Sequence, residues 1–273
     1  MKRAELATGI SVTYEESGPH DGEPLLLLAP LGRDHSLVAA EATRFASEFR
    51  CIAPDCRGTG DSDRPESGYS IRQFAMDAVA LLDEIEIDRA HVAGTSMGSA
   101  VAMELAVSHP DRVRSLSLYT PWARTDVNLR EAFLMLRSLV LRAPASEVER
   151  AVSWLIFTPD YLEQHWPEIE RLIEETIADP AYPSPAAYAG HFDASIGHDV
   201  LDRLGAIDAP TLVVAGDADR FISARYAEEV HDAIGGSHYH LFEGQGSSHA
   251  LTLERQREFL DVAEGFLRDV SGR

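Results

Sequence analysis

Two kinds of apolar pattern alternate along the first 120 residues, and this alternation constrains the fold more than any other feature. The segment PLLLLAP is a continuous apolar run, typical of a strand buried on both faces, while RCIAPD, RAHVAGT and VRSLSLYT are short and strand-like. Helical patterns lie between them in SLVAAEATRFASEF, SIRQFAMDAVALLDEI and SAVAMELAVSH. Strands separated by helices predict an α/β fold, with a mostly parallel central sheet flanked by helices.

The alternation stops after Pro121 and resumes near residue 205. Between these points the chain carries helical runs such as LREAFLMLRSLVLR and ASEVERAVSWLIF, and strand and helix patterns return in PTLVVAGDAD, SHYHLFEG and TLERQREFLDVAEGFLRDV. Both flanks are needed to complete one sheet. We therefore expect residues 1–121 and 205–273 to form the core, and residues 122–204 to form an inserted helical lid (cap).

Charge and hydropathy limit the partners. The formal net charge of −21 disfavours nucleic acid and anionic membranes, because phosphate binding needs clustered basic residues. The sequence carries no long apolar run and its first residues do not form a signal peptide, so we expect a cytoplasmic protein with no membrane contact. Cys51 and Cys56 match no metal motif and are interpreted as reduced thiols rather than a redox pair. The sequence is compatible with a homo-oligomer.

A serine lies between two glycines where one predicted strand meets the next helix, in Gly94-Thr95-Ser96-Met97-Gly98. Glycines two positions before and after the serine fit a turn so tight that larger side chains there would collide. This strand–turn–helix pattern predicts a nucleophile elbow that holds the serine hydroxyl at the carboxyl edge of the sheet. The alternative is a glycine-rich turn in which the serine caps the helix.

A serine nucleophile needs a base, and the base needs an orienting carboxylate, in the chain order serine, acid, histidine. Asp217 and Asp219 follow the strand TLVVAG, and Asp219 is favoured because it is far enough past the strand to turn back over the sheet edge. His249 lies in the loop GQGSSHALTLE, whereas the two histidines of SHYHLFEG lie inside a predicted strand. We therefore predict a catalytic triad of Ser96, Asp219 and His249.

The chain resembles the α/β-hydrolase superfamily over nearly its whole length. The matching segments are LLLLAPLGRDHS, APDCRGTGDSDRP, AHVAGTSMGSAVAMELAVSHPDRVRSLSLY, PTLVVAGDADRFIS and GQGSSHALTLERQREFLDVAEGFL. The elbow, the Leu-Gly pair after the third strand and the helical lid are similar to those of 3-oxoadipate enol-lactonases and haloperoxidase-like esterases. The resemblance implies the α/β-hydrolase fold, and it implies a structural loop, DCRGTGDS, in which Asp55 and Arg57 form a buried ion pair.

Two positions depart from the pattern of the family. Many members carry His-Gly-x-Pro after the third strand, whereas residues 29–32 of this chain are Ala-Pro-Leu-Gly. The resemblance then implies an oxyanion hole formed by the backbone N–H groups of Leu31 and Met97, which does not depend on side-chain identity. Ser99 and Ala100 stand where many members have a further glycine.

Three residues are candidates for binding the substrate. Trp122 directly follows the sixth strand, and Arg33 and Arg124 are near the edges of the site in sequence. An arginine could pair with a substrate carboxylate, as an enol-lactone would require. The alternative, arginines in solvated surface ion pairs, stays open. His191 and His198 lie in the insertion, where they could line a pocket.

The sequence therefore predicts a serine hydrolase that cleaves a small carboxylic ester or lactone through an acyl-enzyme. Neither a metal nor an organic cofactor is required. Carbon–carbon bond hydrolases and cofactor-free perhydrolases use the same triad and remain alternatives. A non-catalytic ligand receptor on this fold is a further alternative.

Overall fold

Eight strands form one sheet in the computed structural model, which describes residues 1–272; Arg273, the last position of the predicted core, lies outside them. The strands are β1 (Lys2–Glu5), β2 (Ser11–Ser17), β3 (Glu23–Leu28), β4 (Phe49–Pro54), β5 (Ala90–Thr95), β6 (Val113–Tyr119), β7 (Thr211–Gly216) and β8 (His238–Phe242). Their order in the sheet is β1-β2-β4-β3-β5-β6-β7-β8.

Strands β3 to β8 run parallel, and only the pairs β1–β2 and β2–β4 are antiparallel. This confirms the predicted mostly parallel sheet. In the register of the parallel strands, Thr95 pairs with Tyr119, Tyr119 with Val214, and Gly216 with Phe242. The carboxyl ends of β5 to β8 therefore meet at one edge, where side chains from distant parts of the chain can form a single site.

The α-helices among the described residues are α1 (Ala39–Phe45), α2 (Ile71–Glu84), α3 (Met97–Ser108), α4 (Val127–Val140), α5 (Ala145–Ile156), α6 (Pro159–Ala178), α7 (Pro185–Ile196), α8 (Ala224–Ala233), α9 (Leu251–Glu254) and α10 (Gln256–Val270). Apolar clusters cover both faces of the sheet. Helix α3 is apolar and buried over most of its length, as expected of a helix that follows a central strand directly.

Helices α4 to α7 interrupt the strand pattern between β6 and β7. Serine or threonine side chains cap two of them: Thr158 Oγ1 accepts the amide of Tyr161 at the start of α6, and Ser184 Oγ accepts the amide of Ala187 at the start of α7. A proline opens both helices, which fits its fixed φ and missing N–H. No helix within residues 1–272 is long and apolar enough to cross a membrane.

The expected ion pair between Asp55 and Arg57 is wrong. The carboxylate of Asp55 accepts the hydroxyl of Thr13 at 2.7 Å, whereas the guanidinium of Arg57 binds Asp77 at 2.5 and 2.7 Å. The two side chains reach different elements, Asp55 towards β2 and Arg57 towards α2, because the chain turns sharply between them. The loop is nevertheless structural, since Gly60 lies so close to Asp55 that an added Cβ would meet its Oδ2 at 2.0 Å.

The two cysteines are free thiols, as predicted. Burial raises the pKa of both Cys51 and Cys56 to about 12. Because the thiolate is the reactive form, neither is a nucleophile near neutral pH.

Candidate active site

Ser96 joins β5 to α3 with φ 53° and ψ −116°, an unusual backbone conformation for a residue with a side chain. A Cβ added at Gly94 would lie 2.3 Å from the carbonyl carbon of Gly98, and one added at Gly98 would lie 2.1 Å from Leu28 O. Both distances are shorter than any real Cβ contact. The steric reason given for the two glycines is therefore correct, and the second glycine also lets α3 approach β3.

Ser99, noted above only as a departure from the family, braces this turn. Its hydroxyl lies 2.6 Å from Gly94 O and accepts the amide of Tyr119 at 3.0 Å. The amide of Ser96 donates to Tyr119 O at 2.8 Å. The turn is thus tied to the end of β6, and its strained backbone is held by fully buried hydrogen bonds.

The three residues of the predicted triad lie together. His249 Nε2 is 3.0 Å from Ser96 Oγ, and His249 Nδ1 is 2.7 Å from Asp219 Oδ2. The other carboxylate oxygen of Asp219 accepts the amides of Phe221 and Ile222, both at 2.8 Å. With the Asp219 side chain fully buried, these bonds fix the carboxylate and, through it, the imidazole.

Asp217, the other candidate acid, binds the loop that carries His249 instead of the histidine itself. Its carboxylate accepts the amide of Gly244 at 3.1 Å and also the hydroxyl of Ser247. A Cβ added at Gly216 would lie 2.0 Å from Ser247 O, so the loop that carries His249 packs directly on the end of β7. Asp217 and Gly216 together hold that loop, and with it His249, over the sheet edge.

Leu31 and Met97 are the two residues whose backbone amides are predicted to be oxyanion donors, and Leu31 lines the same cavity as Ser96. Met97 is the first residue of α3, and the first amides of a helix have no acceptor inside it. Leu31 follows β3, and among residues 1–272 its amide has no hydrogen-bond partner. Both N–H groups are therefore available to a bound oxyanion, beside the positive end of the helix dipole.

His191, on α7, holds the loop that contains Leu31. Its Nε2–H donates to Arg57 O at 2.8 Å, and its Nδ1 accepts the amide of Gly32 at 3.2 Å. Burial lowers the pKa of His191 to about 4, so the ring is neutral near pH 7 and can accept this bond. Tyr188 packs on the same glycine, where an added Cβ would lie 2.3 Å from its ring. The sequence indicates only that His191 could line a pocket; in the structure it supports this loop and does not line the cavity.

A cavity of about 270 Å³ opens beside Ser96 and His249. Most of its lining is apolar and comes from the inserted helices, including Leu136, Val152, Leu155, Phe157, Ile173 and Phe192. Such a cavity suits a small, largely apolar molecule.

The three predicted substrate contacts have different positions. Arg33 lines the cavity. Trp122 does not line it: the indole is fully buried, packs on Phe133 and donates to Thr125 at 2.9 Å. The expectation for Trp122 is wrong because the chain turns its side chain into the core directly after β6.

Arg124 is also outside the cavity, where it forms ion pairs on the surface with Asp199 at 3.0 Å and with Asp202 at 2.9 Å. The solvated alternative is thus correct for this arginine. His198 is buried behind Trp122 and donates to its carbonyl at 3.1 Å, so it does not line the cavity either.

One group of potential metal ligands occurs among residues 1–272, formed by Asp34, His35 and Asp55 with ligand atoms within 4.8 Å of one another. His35 Nδ1 is hydrogen-bonded to Asp55 at 2.7 Å, and the second carboxylate oxygen of Asp55 accepts a hydrogen bond from the hydroxyl of Thr13. These hydrogen bonds join the segment that follows β3 to Asp55, at the end of β4, and to Thr13, on β2.

The family model described as "alpha/beta hydrolase fold" matches residues 31–249. The chain therefore belongs to the α/β hydrolase fold family. It is 28% identical to RutD of Azorhizobium caulinodans, over 94% of this chain and 95% of that protein, and 30% identical to RutD of Variovorax paradoxus, over 88% and 90%. Both relatives are named for carbamate hydrolysis.

Solved structures agree with this assignment. The enol-lactonase of Burkholderia xenovorans LB400 superimposes with a TM-score of 0.88 at 26% identity, covering 97% of this chain and 99% of the other. The fold, the family and these relatives together define the protein as a hydrolytic enzyme.

Proposed function

We propose that the protein hydrolyses a small carboxylic ester or lactone through an acyl-enzyme formed on Ser96. One observation carries this proposal: an unbroken hydrogen-bond chain from Ser96 Oγ through His249 to Asp219, at the wall of a mostly apolar cavity. The likeness to a lactonase structure supports the same substrate class.

In the first half of the cycle, His249 Nε2 takes the proton of Ser96 as Oγ attacks the substrate carbonyl. The bond from Oγ to the carbonyl carbon forms, and the carbonyl electron pair moves to oxygen, where the amides of Leu31 and Met97 stabilise the negative charge. Asp219 stabilises the imidazolium. The tetrahedral intermediate then collapses, and His249 returns the proton to the departing alcohol oxygen.

In the second half, His249 accepts a proton from a water molecule that attacks the acyl carbon. A second tetrahedral intermediate forms in the same oxyanion site and expels Ser96 Oγ, which regains its proton from His249. The products are a carboxylic acid and an alcohol, or one hydroxy acid from a lactone. A serine nucleophile is well matched to this acyl transfer, and none of these steps requires a metal.

The proposal is tested with p-nitrophenyl esters of increasing acyl length, with the wild type beside Ser96→Ala. We expect turnover by the wild type that favours short and medium chains, because the cavity is small, and a loss of about 10³-fold or more in kcat for the variant. Ser67→Ala is the matched control, since it makes the same change at an exposed serine that does not line the cavity.

Three results separate the alternatives. Ser96-dependent cleavage of a carbon–carbon bond, with no ester or lactone turnover, would replace this proposal by carbon–carbon bond hydrolysis. Ser96-dependent formation of a peracid from hydrogen peroxide, again with no ester or lactone hydrolysis, would replace it by perhydrolysis. Retained ligand binding without any Ser96-dependent turnover would favour a receptor.

A further inference from the structure

Arg33 is the one positively charged side chain among the described residues that line the cavity, and it is already paired. Its guanidinium forms an ion pair with Glu149, on α5, whose side chain is only 3% exposed. The second oxygen of Glu149 accepts the hydroxyl of Tyr182 at 2.9 Å. The positive charge in the lining of the cavity is thus paired with a buried carboxylate.

The rest of the polar lining adds negative charge. Asp34 and Asp179 also line the cavity, so its formally charged side chains are one arginine against three carboxylates, a balance of 1 − 3 = −2. The whole chain carries a net charge of −21, so no distant excess of positive charge offsets this balance. An anion that entered would lose hydration and meet an unfavourable potential.

From this arrangement we propose that the substrate is an uncharged ester or lactone, and that Glu149 is a specificity-determining residue that excludes substrates bearing a carboxylate. The proposal rests on the proposed ester or lactone hydrolysis and names the charge class of its substrate. It differs from the expectation that Arg33 binds a substrate carboxylate.

Arg33 keeps a role with a neutral substrate. A guanidinium has five N–H donors, and its pair with Glu149 leaves others free to donate to a carbonyl or ether oxygen. Burial raises the pKa of Tyr182 and of Tyr188 above the ordinary value, so both remain uncharged phenols beside it. The pair with Glu149 therefore offers hydrogen bonds without offering net charge.

The test uses methyl diesters of succinic, glutaric and adipic acid in a pH-stat at neutral pH. Each ester cleaved releases methanol and a carboxylic acid, whose proton consumes one equivalent of base. The first cleavage acts on a neutral molecule, and the second acts on a monoester that carries a carboxylate. We expect base uptake to stop after one equivalent, with the monoester accumulating.

Glu149→Gln tests the residue itself, because it removes the buried carboxylate and leaves the charge of Arg33 uncompensated. We expect the ratio of kcat/KM for the monoester to that for the diester to rise about tenfold or more. Asp179→Asn, at the exposed edge of the cavity, should raise the same ratio less and is the fallback if the first variant does not fold. Asp199→Asn is the matched control, since it removes the same charge outside the cavity and should leave the ratio unchanged.

The outcomes are distinguishable. Ser96-dependent cleavage of both ester groups at similar rates by the wild type, or an unchanged ratio in the folded cavity variants, would overturn this inference and leave the proposed function standing. An equal rise for Asp199→Asn would also overturn it, since the effect would not belong to the cavity. No Ser96-dependent cleavage of any diester, with no turnover of p-nitrophenyl esters, would overturn the proposed function and this inference with it.

Discussion

His191 Nδ1 accepts a hydrogen bond from the amide of Gly32 at 3.2 Å, which links an inserted helix to the loop beside the proposed oxyanion donor Leu31. The two residues are 159 positions apart in the chain. Because oxyanion donors must already point at the developing charge, a residue that fixes their loop acts on the transition state more than on the bound substrate.

We therefore expect His191→Leu to lower kcat for a neutral ester by about tenfold or more while KM changes little. His191→Gln should recover much of the loss, because an amide side chain can accept from Gly32 and donate to Arg57 O. Steady-state kinetics of both variants check this. Equal activity of the leucine variant and the wild type would show that the hydrogen bond does not position the loop.

Two buried histidines should make stability depend on pH. Burial lowers the pKa of His191 and of His198 from 6.5 to about 4. Below its ordinary pKa the unfolded chain binds a proton that the folded protein excludes, so stability is present above about pH 6.5 and is lost as the pH falls towards 4. At pH 5 the loss is about 2 kcal/mol for each histidine.

Urea unfolding at pH 7 and pH 5 measures this difference in the free energy of unfolding. His198→Gln, which keeps a donor for Trp122 O, should show a smaller decrease than the wild type. His238→Gln is the control, because that histidine is exposed on the edge strand β8. A decrease that is the same in the wild type and both variants would contradict the assignment to His198.

Glu41, on α1, should act in the opposite direction. Its side chain is 4% exposed, and burial raises its pKa from 4.5 to about 7. Its contribution to stability is complete below about pH 4.5 and is lost as the pH rises through 7. At pH 8, Glu41→Gln should raise the free energy of unfolding by roughly 2–3 kcal/mol, and the gain should vanish near pH 4.5.

The exposed Glu84, on α2, provides the matched control: Glu84→Gln should change the free energy of unfolding little at either pH. A gain from Glu41→Gln that is equal at both pH values would mean that charge burial is not its cause.

The close approach of α3 to β3 should make the elbow intolerant of a single methyl group. Because a Cβ at position 98 would lie 2.1 Å from Leu28 O, we expect Gly98→Ala to destabilise the protein by about 3 kcal/mol or more, or to prevent folding. Gly235→Ala is the control, since nothing lies within 4 Å of its added Cβ. Thermal unfolding of the two variants compares them, and equal melting temperatures would contradict the packing described here.

Local patterns were sufficient to predict the sheet and the positions of Ser96, Asp219 and His249. Apolar runs and their spacing mark the parallel strands, and each of these residues follows the end of a strand, where topology alone brings them to one edge. Trp122 also follows the end of a strand but does not line the cavity, because sequence adjacency to a strand end does not fix the direction in which a side chain points.

The contacts that sequence analysis missed join distant segments through the inserted helices. Glu149 is 116 positions from Arg33. From the sequence alone, a glutamate on a helix is expected to be an ordinary solvent-exposed residue. Which residue of an inserted helix meets which loop depends on how the helices pack over the sheet, and no local period carries that information.

The central claim is that Ser96 is the nucleophile, and peptide mapping by mass spectrometry after reaction with a fluorophosphonate probe tests it most directly. We predict one phosphonylated serine, Ser96, in the wild type, with labelling slowed strongly in Asp219→Asn because His249 loses its orienting carboxylate. An unmodified Ser96 in the wild type, or labelling that persists in Ser96→Ala, would contradict the account.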